Sequence, residues 1–471
     1  MKVEVNAKVV SVLAILIIAV LLTVTVTGCS ATGGNDTENP AEQTENGTGK
    51  HEGIPPGEKG EIGNAGGKND NTGREESRTG DPCAKDWESG TGNSHVPEGP
   101  GSISEKLGKM SLDEKIGQMF IIGVDGTSVD EDMKNVINSR KPGGIILFSG
   151  NITGPEQLTD FMNAMKAANS GNIPLFVSID EEGGRITRLP EQLTALPSAM
   201  SVGEIDDAAF TYRIGRLLAA KIKAFGINMD FAPVLDIFSN PNNTVIGDRA
   251  YGTTPQSVEK HGIQVMKGLR DEGIVAVVKH FPGHGDTDAD SHYGLPSVGH
   301  NKDRLAGFEL IPFRKAFSED ADAVMVAHIL VESLDRDLPA SLSPVIIGGL
   351  LREEMGFDGV VITDDMTMRA ITDNFDIGEA AVRSVVAGSD IILVCHGRDR
   401  QAEAMDAVKK AVEEGVIDEA RIDESVARIL KLKEKYGLND NAVGYPDVDR
   451  LNEKIEGVLS KWYNSKWYND N

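Results

Sequence analysis

At 471 residues, 39% hydrophobic and 25% charged, the chain has the make-up of a globular enzyme with a sizeable core. Its formal charge of −26 argues against a nucleic-acid partner, because gripping phosphates needs a basic face that releases counterions. Its three cysteines, Cys29, Cys83 and Cys395, do not make a disulfide framework.

The chain opens with Lys2 and Lys8, then an apolar run from Val9 to Val26 that stops at Gly28-Cys29. That is a signal-peptide layout, and Val26-Thr27-Gly28-Cys29 looks like a lipobox, in which the cysteine is acylated before cleavage and becomes the mature N-terminus. An uncleaved transmembrane helix is the competing reading, since about 18 apolar residues span a bilayer. The cysteine falls where the apolar run stops, which favours residues 1–28 as a lipoprotein signal peptide and Cys29 as the lipidation site. On either reading the rest lies beyond the cytoplasmic membrane, and the expected location is the cell membrane, lipid-anchored on its extracytoplasmic face.

Residues 29–101 are rich in Gly, Asn, Glu, Thr and Ser, and residues 30–100 hold 14 Asp or Glu against 6 Lys or Arg. With almost no large apolar residue, such a segment cannot bury enough surface to offset its chain entropy, and a disordered tether is expected. Order is expected to begin near Ser111. At Ser111-Leu112-Asp113-Glu114 the sequence carries a capping box, serine and glutamate three apart, which starts a helix.

From there short apolar runs alternate with amphipathic stretches. The runs are Met119–Val124, Gly144–Phe148, Leu175–Ile179, Ile227–Leu235, Ile274–Lys279, Ala323–Ala327, Val360–Thr363 and Ile391–Val394. Between them lie helical patterns, such as Leu158, Phe161, Met162 and Met165 behind Pro155, and Phe210 to Phe225 stopped by Gly226. Unbroken apolar strands bounded by helices read as parallel strands buried on both faces. The fold class is therefore α/β, as a single (β/α)8 TIM barrel over residues 102–440 or an open doubly wound sheet. The barrel is favoured because Asp180, Asp236, Lys279-His280, His328, Asp364 and His396 all stand at the C-terminal ends of runs, where a barrel keeps its active site. Residues 441–471 are read as a C-terminal tail, too short for a second domain.

Two stretches concentrate chemistry. The first, from Lys279 to His292, places three histidines, three aspartates and a lysine on one loop. A calcium loop fails on spacing, because Ser291 and Ser297 stand where glycine and a bidentate glutamate are required. Zinc ligation by these histidines stays open beside acid/base chemistry, in which Asp290 would set the tautomer of His292 and the other ring nitrogen would exchange a proton with substrate. The second stretch, Gly356 to Met366, delivers Asp364 and Asp365 to the rim, where either could serve retaining glycoside hydrolysis or simply cap the next helix.

The motif Lys279-His280-Phe281-Pro282-Gly283-His284-Gly285, four residues, then Asp290-Ser291-His292 resembles that of glycoside hydrolase family 3, in its β-N-acetylhexosaminidase branch of peptidoglycan-recycling type. The resemblance spans about Ser111 to Leu438. It implies a TIM barrel and an exo-acting retaining hydrolase that releases terminal β-linked N-acetylglucosamine from peptidoglycan fragments or related glycans through a glycosyl-enzyme. It further implies Asp364, after the small Thr363, as nucleophile and His292 with Asp290 as acid/base pair. Asp180, Arg188, Arg249, Lys279 and His280 become sugar-binding residues, Asp365 a capping neighbour, and neither cofactor nor metal is expected. The partners expected are a carbohydrate substrate and, through Cys29, a membrane. A β-glucosidase or β-xylosidase of the same family, and a non-catalytic wall-glycan-binding lipoprotein, are the competing readings.

Overall fold

The computed structural model describes residues 101–287 and 294–466, with side chains to residue 461. Cys29, Asp290 and His292 lie outside the described residues.

Eight parallel strands close into a barrel: β1 (Phe120–Gly123), β2 (Gly144–Leu147), β3 (Phe176–Ile179), β4 (Met229–Asp230), β5 (Val275–Phe281), β6 (Ala323–Val326), β7 (Val360–Asp365) and β8 (Ile391–Val394). Each pairs with its sequence neighbours, and β8 returns to β1. This is the (β/α)8 barrel, not the open sheet, and each of the eight apolar runs supplies one of its strands. The expected fourth run, Ile227–Leu235, is regular only at Met229–Asp230. Regular pairing is interrupted at Pro233, which has no N–H to donate, and resumes as a single parallel bridge between Val234 and Lys279.

The helices wrap the barrel by burying one face each. In Ala208–Lys223, Asp207 caps the start by accepting from the N–H groups of Ala209 and Phe210, and Phe210, Ile214, Leu217, Leu218 and Ile222 face inward. Each such fully buried side chain contributes about 1.5–3 kcal/mol over leaving it in water. Glycine at position 226, with φ +76°, turns the chain back toward β4. The capping box at Ser111 and Glu114 forms as expected, and a second one, Ser102 with Glu105, opens a further helix, Ile103–Leu107, ahead of it.

The segment that the sequence leaves as a tail holds a helix, Val448–Lys466. Its Ile455 is fully buried, and Asn452 both accepts from the Thr194 N–H and donates to the Gln192 carbonyl. A 19-residue helix with one apolar stripe reads in sequence as a marginal peptide, and only docking on the barrel stabilises it. Among the described residues no helix is long and apolar enough to cross a membrane.

The barrel ladder is irregular at two places, both beneath the rim. Opposite β6, Val278 pairs with Val324 but Phe281 with Val326, so β5 holds one extra residue near Lys279-His280. Opposite β8, Ile362 pairs with Ile391 but Asp365 with Leu393, so β7 holds one extra residue near Thr363-Asp364. A bulge rotates the side chains beyond it, and here both occur where charged residues reach the rim.

Candidate active site

A cleft of about 330 Å³ opens at the C-terminal rim. It is lined by every one of the sequence-predicted residues that the structure describes: Asp180, Arg188, Arg249, Lys279, His280 and Asp364. Its lining also holds apolar side chains, Ile146, Phe148, Phe231, Met325 and Leu393, and Phe148 packs 5.0 Å from the His396 ring. Polar and apolar lining in one cleft suits a ligand with a hydroxylated edge and a C–H face, the two aspects of a pyranose ring.

The polar lining is one connected network. Lys279 donates to Asp180 at 2.6 Å and lies 2.7 Å from Glu182, while Arg249 grips both Glu182 oxygens at 2.7 and 2.8 Å. Burial works against ionising Glu182, but Arg249 and Lys279 outweigh it and hold its carboxyl well below the usual range. Burial likewise disfavours the Lys279 ammonium, and Asp180 with Glu182 more than restores it, so its pKa is raised. The two cations are thereby fixed in place with N–H groups in reach of the cleft. Glu182, two residues after Asp180 and without a role assigned from the sequence, is the residue that joins them.

The chain of contacts continues from Arg249 to His280 Nε2 at 3.3 Å and from His280 Nδ1 to Asp236 at 2.6 Å. A guanidinium only donates, so Nε2 accepts and Nδ1 carries its proton toward Asp236. The second Asp236 oxygen accepts from the His284 backbone N–H at 2.6 Å, which ties the Gly283-His284-Gly285 turn to the strand end. Burial opposes the Asp236 charge, but the His280 ring and that N–H hold its pKa down.

The glycines of that turn have a steric cause. A Cβ on Gly285 would sit 1.7 Å from the Ile237 carbonyl oxygen, and Gly283, at φ +127°, lies against Glu309. Asn243 clamps the same turn by donating to the His284 carbonyl at 2.7 Å. His284 itself is buried, with Nδ1 against the Thr287 hydroxyl at 2.7 Å and Nε2 without a hydrogen-bond partner among the described residues. Burial, and then the nearby His280, push its pKa down to about 4, so it is neutral at physiological pH.

Asp364 reaches the cleft from the bulge of β7. The Thr363 hydroxyl accepts the Leu393 N–H at 3.1 Å, and the Asp365 carboxylate accepts from Cys395 N–H and Thr367 N–H at 2.9 Å each. Side chains thus satisfy donors that the displaced β7 carbonyls leave behind. Asp364 accepts from the Asp365 N–H at 2.8 Å. Burial raises its pKa, but the fields of His328, His280 and Lys279 together with that N–H bring the net shift below the usual value. Asp365 does not cap a helix as expected, since Met368 stands at the start of Arg369–Thr372. It holds the turn between β7 and β8 instead.

The two arginines that follow Gly184 divide their work. Arg185 is exposed and braces the loop carrying Arg249, through Asp248 at 2.7 Å and three carbonyls. Arg188 lines the cleft, and its Nε has no hydrogen-bond partner among the described residues. Cys395 is a free, buried thiol under the cleft, and burial raises its pKa far above the ordinary value.

Residues 111–432 match the family model described as "Glycosyl hydrolase family 3 N terminal domain". Beta-hexosaminidase LpqI of Mycobacterium tuberculosis is 35% identical over 349 residues, covering 71% of this chain and 86% of that protein. Beta-hexosaminidase A of Pseudoalteromonas piscicida is 32% identical over 361 residues, but this chain spans only 60% of its length. Among solved structures, a family 3 β-N-acetylglucosaminidase from Paenibacillus sp. str. FPU-7 superposes with a TM-score of 0.72 at 43% identity, covering 75% of this chain and 69% of that one. A barrel with its charged network at the C-terminal rim, matched along most of its length, places the chain in glycosyl hydrolase family 3, and it is a glycoside hydrolase.

Proposed function

We propose that the chain releases terminal β-linked N-acetylglucosamine from peptidoglycan fragments or related glycans, with retention of configuration. The observation that carries this is Asp364: a carboxylate held ionised on the cleft floor, with one backbone N–H on it and the other oxygen directed to no described partner. In the first step Asp364 attacks the anomeric carbon while the bond to the leaving oxygen breaks, and His292, oriented by Asp290, gives that oxygen its proton. In the second step water attacks the same carbon, His292 takes the water's proton, and the Asp364 carboxylate departs. Lys279, Arg249, His280, Asp180 and Arg188 hold the sugar. Fixed donors of this kind lose little freedom when they bind hydroxyls and an amide carbonyl. The beta-hexosaminidase and β-N-acetylglucosaminidase relatives support the choice of sugar.

Turnover of an aryl β-N-acetylglucosaminide against the matching β-glucoside, with and without phosphate, tests it. Preference for the acetamido sugar with free sugar as product is expected. Preference for the glucoside overturns the substrate, and a sugar 1-phosphate product overturns hydrolysis.

A lipid on Cys29 is proposed to hold the enzyme at the extracytoplasmic face of the cell membrane, on the strength of Lys2, Lys8, the Val9–Val26 run and the cysteine at its end. Wild-type protein is expected in the membrane fraction and, after Cys29→Ala, to remain unlipidated and uncleaved. Wild type wholly in the soluble fraction removes the anchor.

A further inference from the structure

We propose that Asp286, His300 and Glu309 form a site for a borderline divalent cation of the zinc type, outside the sugar cleft and fixing the two ends of the segment that contains Asp290 and His292. One ligand atom from each of the three lies within 4.8 Å of the others. Tetrahedral bonds of about 2.0–2.2 Å put ligand atoms roughly 3.3–3.6 Å apart, so side-chain rotation draws in the wider gaps of the set and opens the 2.7 Å His300–Asp286 gap when an ion enters. None of the three lines the sugar cleft.

Hydrogen bonding alone does not account for this cluster. His300 Nε2 is 2.7 Å from Asp286 Oδ2 and 3.7 Å from Glu309 Oε1, yet it makes no hydrogen bond of acceptable direction to either. The ring nitrogen and the carboxylates converge without pointing along a shared proton, which is the arrangement of donors around a common centre. Glu309 is 5% exposed, and its Oε2 is buried with no hydrogen-bond partner among the described residues. Its Oε1 accepts from Arg304 Nε and Nη2 at 3.0 and 2.8 Å. A buried free oxygen costs about 1–3 kcal/mol or more, and a rotation of the Glu309 carboxylate that turned it to an ion, with Arg304 kept on the other oxygen, would satisfy it. One imidazole with two carboxylates suits zinc or manganese, with water completing the coordination.

Position gives the site its consequence. Asp286 follows the Gly283-His284-Gly285 turn, His300 lies beyond His292 in the chain, and Glu309 stands just before the helix Ile311–Ser318. Gly283 already packs on Glu309, where a Cβ would meet the Glu309 Cβ at 2.9 Å. An ion held by all three fastens both flanks of residues 287–299 to the barrel wall, and so makes the proposed acid/base pair's approach to the cleft depend on a cation that takes no part in the chemistry.

The test measures binding, so its outcome is independent of which sugar is cleaved. Full-length protein is stripped with EDTA, dialysed into metal-free buffer and titrated with ZnCl2 and with MnCl2 by calorimetry and thermal denaturation. One ion per chain and a raised Tm are expected, with binding weakened at least tenfold in Glu309→Gln and in His300→Gln but retained in His292→Ala. Wild-type protein that takes up no ion at 1 mM overturns the site. Loss of binding in His292→Ala with Glu309→Gln unaffected also overturns it, by moving the ion to the acid/base pair. A readout on the wild type alone guards against misfolded variants: saturating Zn2+ is expected to slow diethyl pyrocarbonate labelling of His300 by peptide mass spectrometry. An unchanged labelling rate removes His300 from the ligand set and the proposal with it.

Discussion

Two aspartates at opposite ends of neighbouring strands behave in opposite ways. Asp390 stands just before β8, at the floor of the barrel, and is fully buried. One of its oxygens accepts from Arg352 at 2.6 Å and from the Val361 N–H, and the other from Ser425 at 2.8 Å, with Arg421 and Arg428 at 3.5 and 3.3 Å. Asp364, at the upper end of β7, has one neighbouring N–H and a field of histidines and lysine. Both are carboxylates at strand ends, and the difference lies in how much of their hydrogen-bonding capacity the fold itself uses. A saturated carboxylate is structural; an ionised one with an oxygen left over is available to an incoming atom. The rim repeats this in Arg188 Nε and His284 Nε2, both without partners among the described residues.

Exchanging the two carboxylates for amides is the strongest test of that contrast. Asp364→Asn is expected to reduce turnover at least 10³-fold with an unchanged denaturant midpoint, since an amide does not form the glycosyl ester. Asp390→Asn is expected to do the reverse, leaving kcat largely intact at low temperature and lowering unfolding free energy by roughly 3–5 kcal/mol, because three arginines lose their shared counter-charge. Asp365→Asn inactive with Asp364→Asn active reassigns the nucleophile.

His292→Ala sharpens the comparison from the leaving-group side. General acid help contributes about 10²–10⁴-fold, and it matters most when the departing oxygen is a poor leaving group. Hydrolysis of an alkyl or sugar aglycone is therefore expected to fall by that factor, and that of a nitrophenyl glycoside far less. Equal losses on both substrates mean that His292 positions and does not transfer protons.

The next effect is thermodynamic. His284 is neutral in the fold down to about pH 4, whereas in the unfolded chain it gains a proton near pH 6.5. Below that pH the unfolded state therefore binds more protons than the native one, and stability falls between about pH 6.5 and pH 4, on the order of 2–3 kcal/mol from this residue. Chemical denaturation across that window is expected to show the slope in wild type and a shallower one in His284→Gln. Parallel slopes remove His284 as the source.

The barrel is legible in the sequence because its eight strands are unbroken apolar runs, and the rim because Lys279-His280 completes one of them without a gap. The motif from Lys279 to His292 carries the family. What stays hidden is three-dimensional: Glu182 joins Lys279 to Arg249 across loops 67 and 97 residues apart in sequence, counted from 182 to 249 and to 279. Nothing local distinguishes it from Glu181, which is instead buried against Lys221 and Thr187 on the helix side. The helix at Val448–Lys466 escapes for a different reason, since its stripe has meaning only against the barrel surface. Asp365 defeats a local reading because a carboxylate after a strand has the same pattern whether it caps a helix or braces a turn.

The smallest expected effect concerns the bulge that separates the two kinds of strand end. Thr363 is fully buried, and its hydroxyl accepts the Leu393 N–H that a regular β7 carbonyl would otherwise take. Thr363→Val keeps the shape and removes the acceptor, leaving that N–H buried and unpaired at a cost of about 1–3 kcal/mol. The strand has two ways to respond. If it keeps the bulge, the full cost appears in stability and kcat is unchanged. If β7 slides toward regular pairing, the stability loss shrinks but Asp364 turns away from the cleft, and kcat falls while KM holds, because the sugar-binding residues lie on other strands. The second response is expected, since the ladder beyond the bulge is only one residue out of step. Thr363→Ser, which restores the hydroxyl, is expected to recover kcat; a serine variant as slow as valine shows that the methyl group, and not the hydrogen bond, sets the bulge.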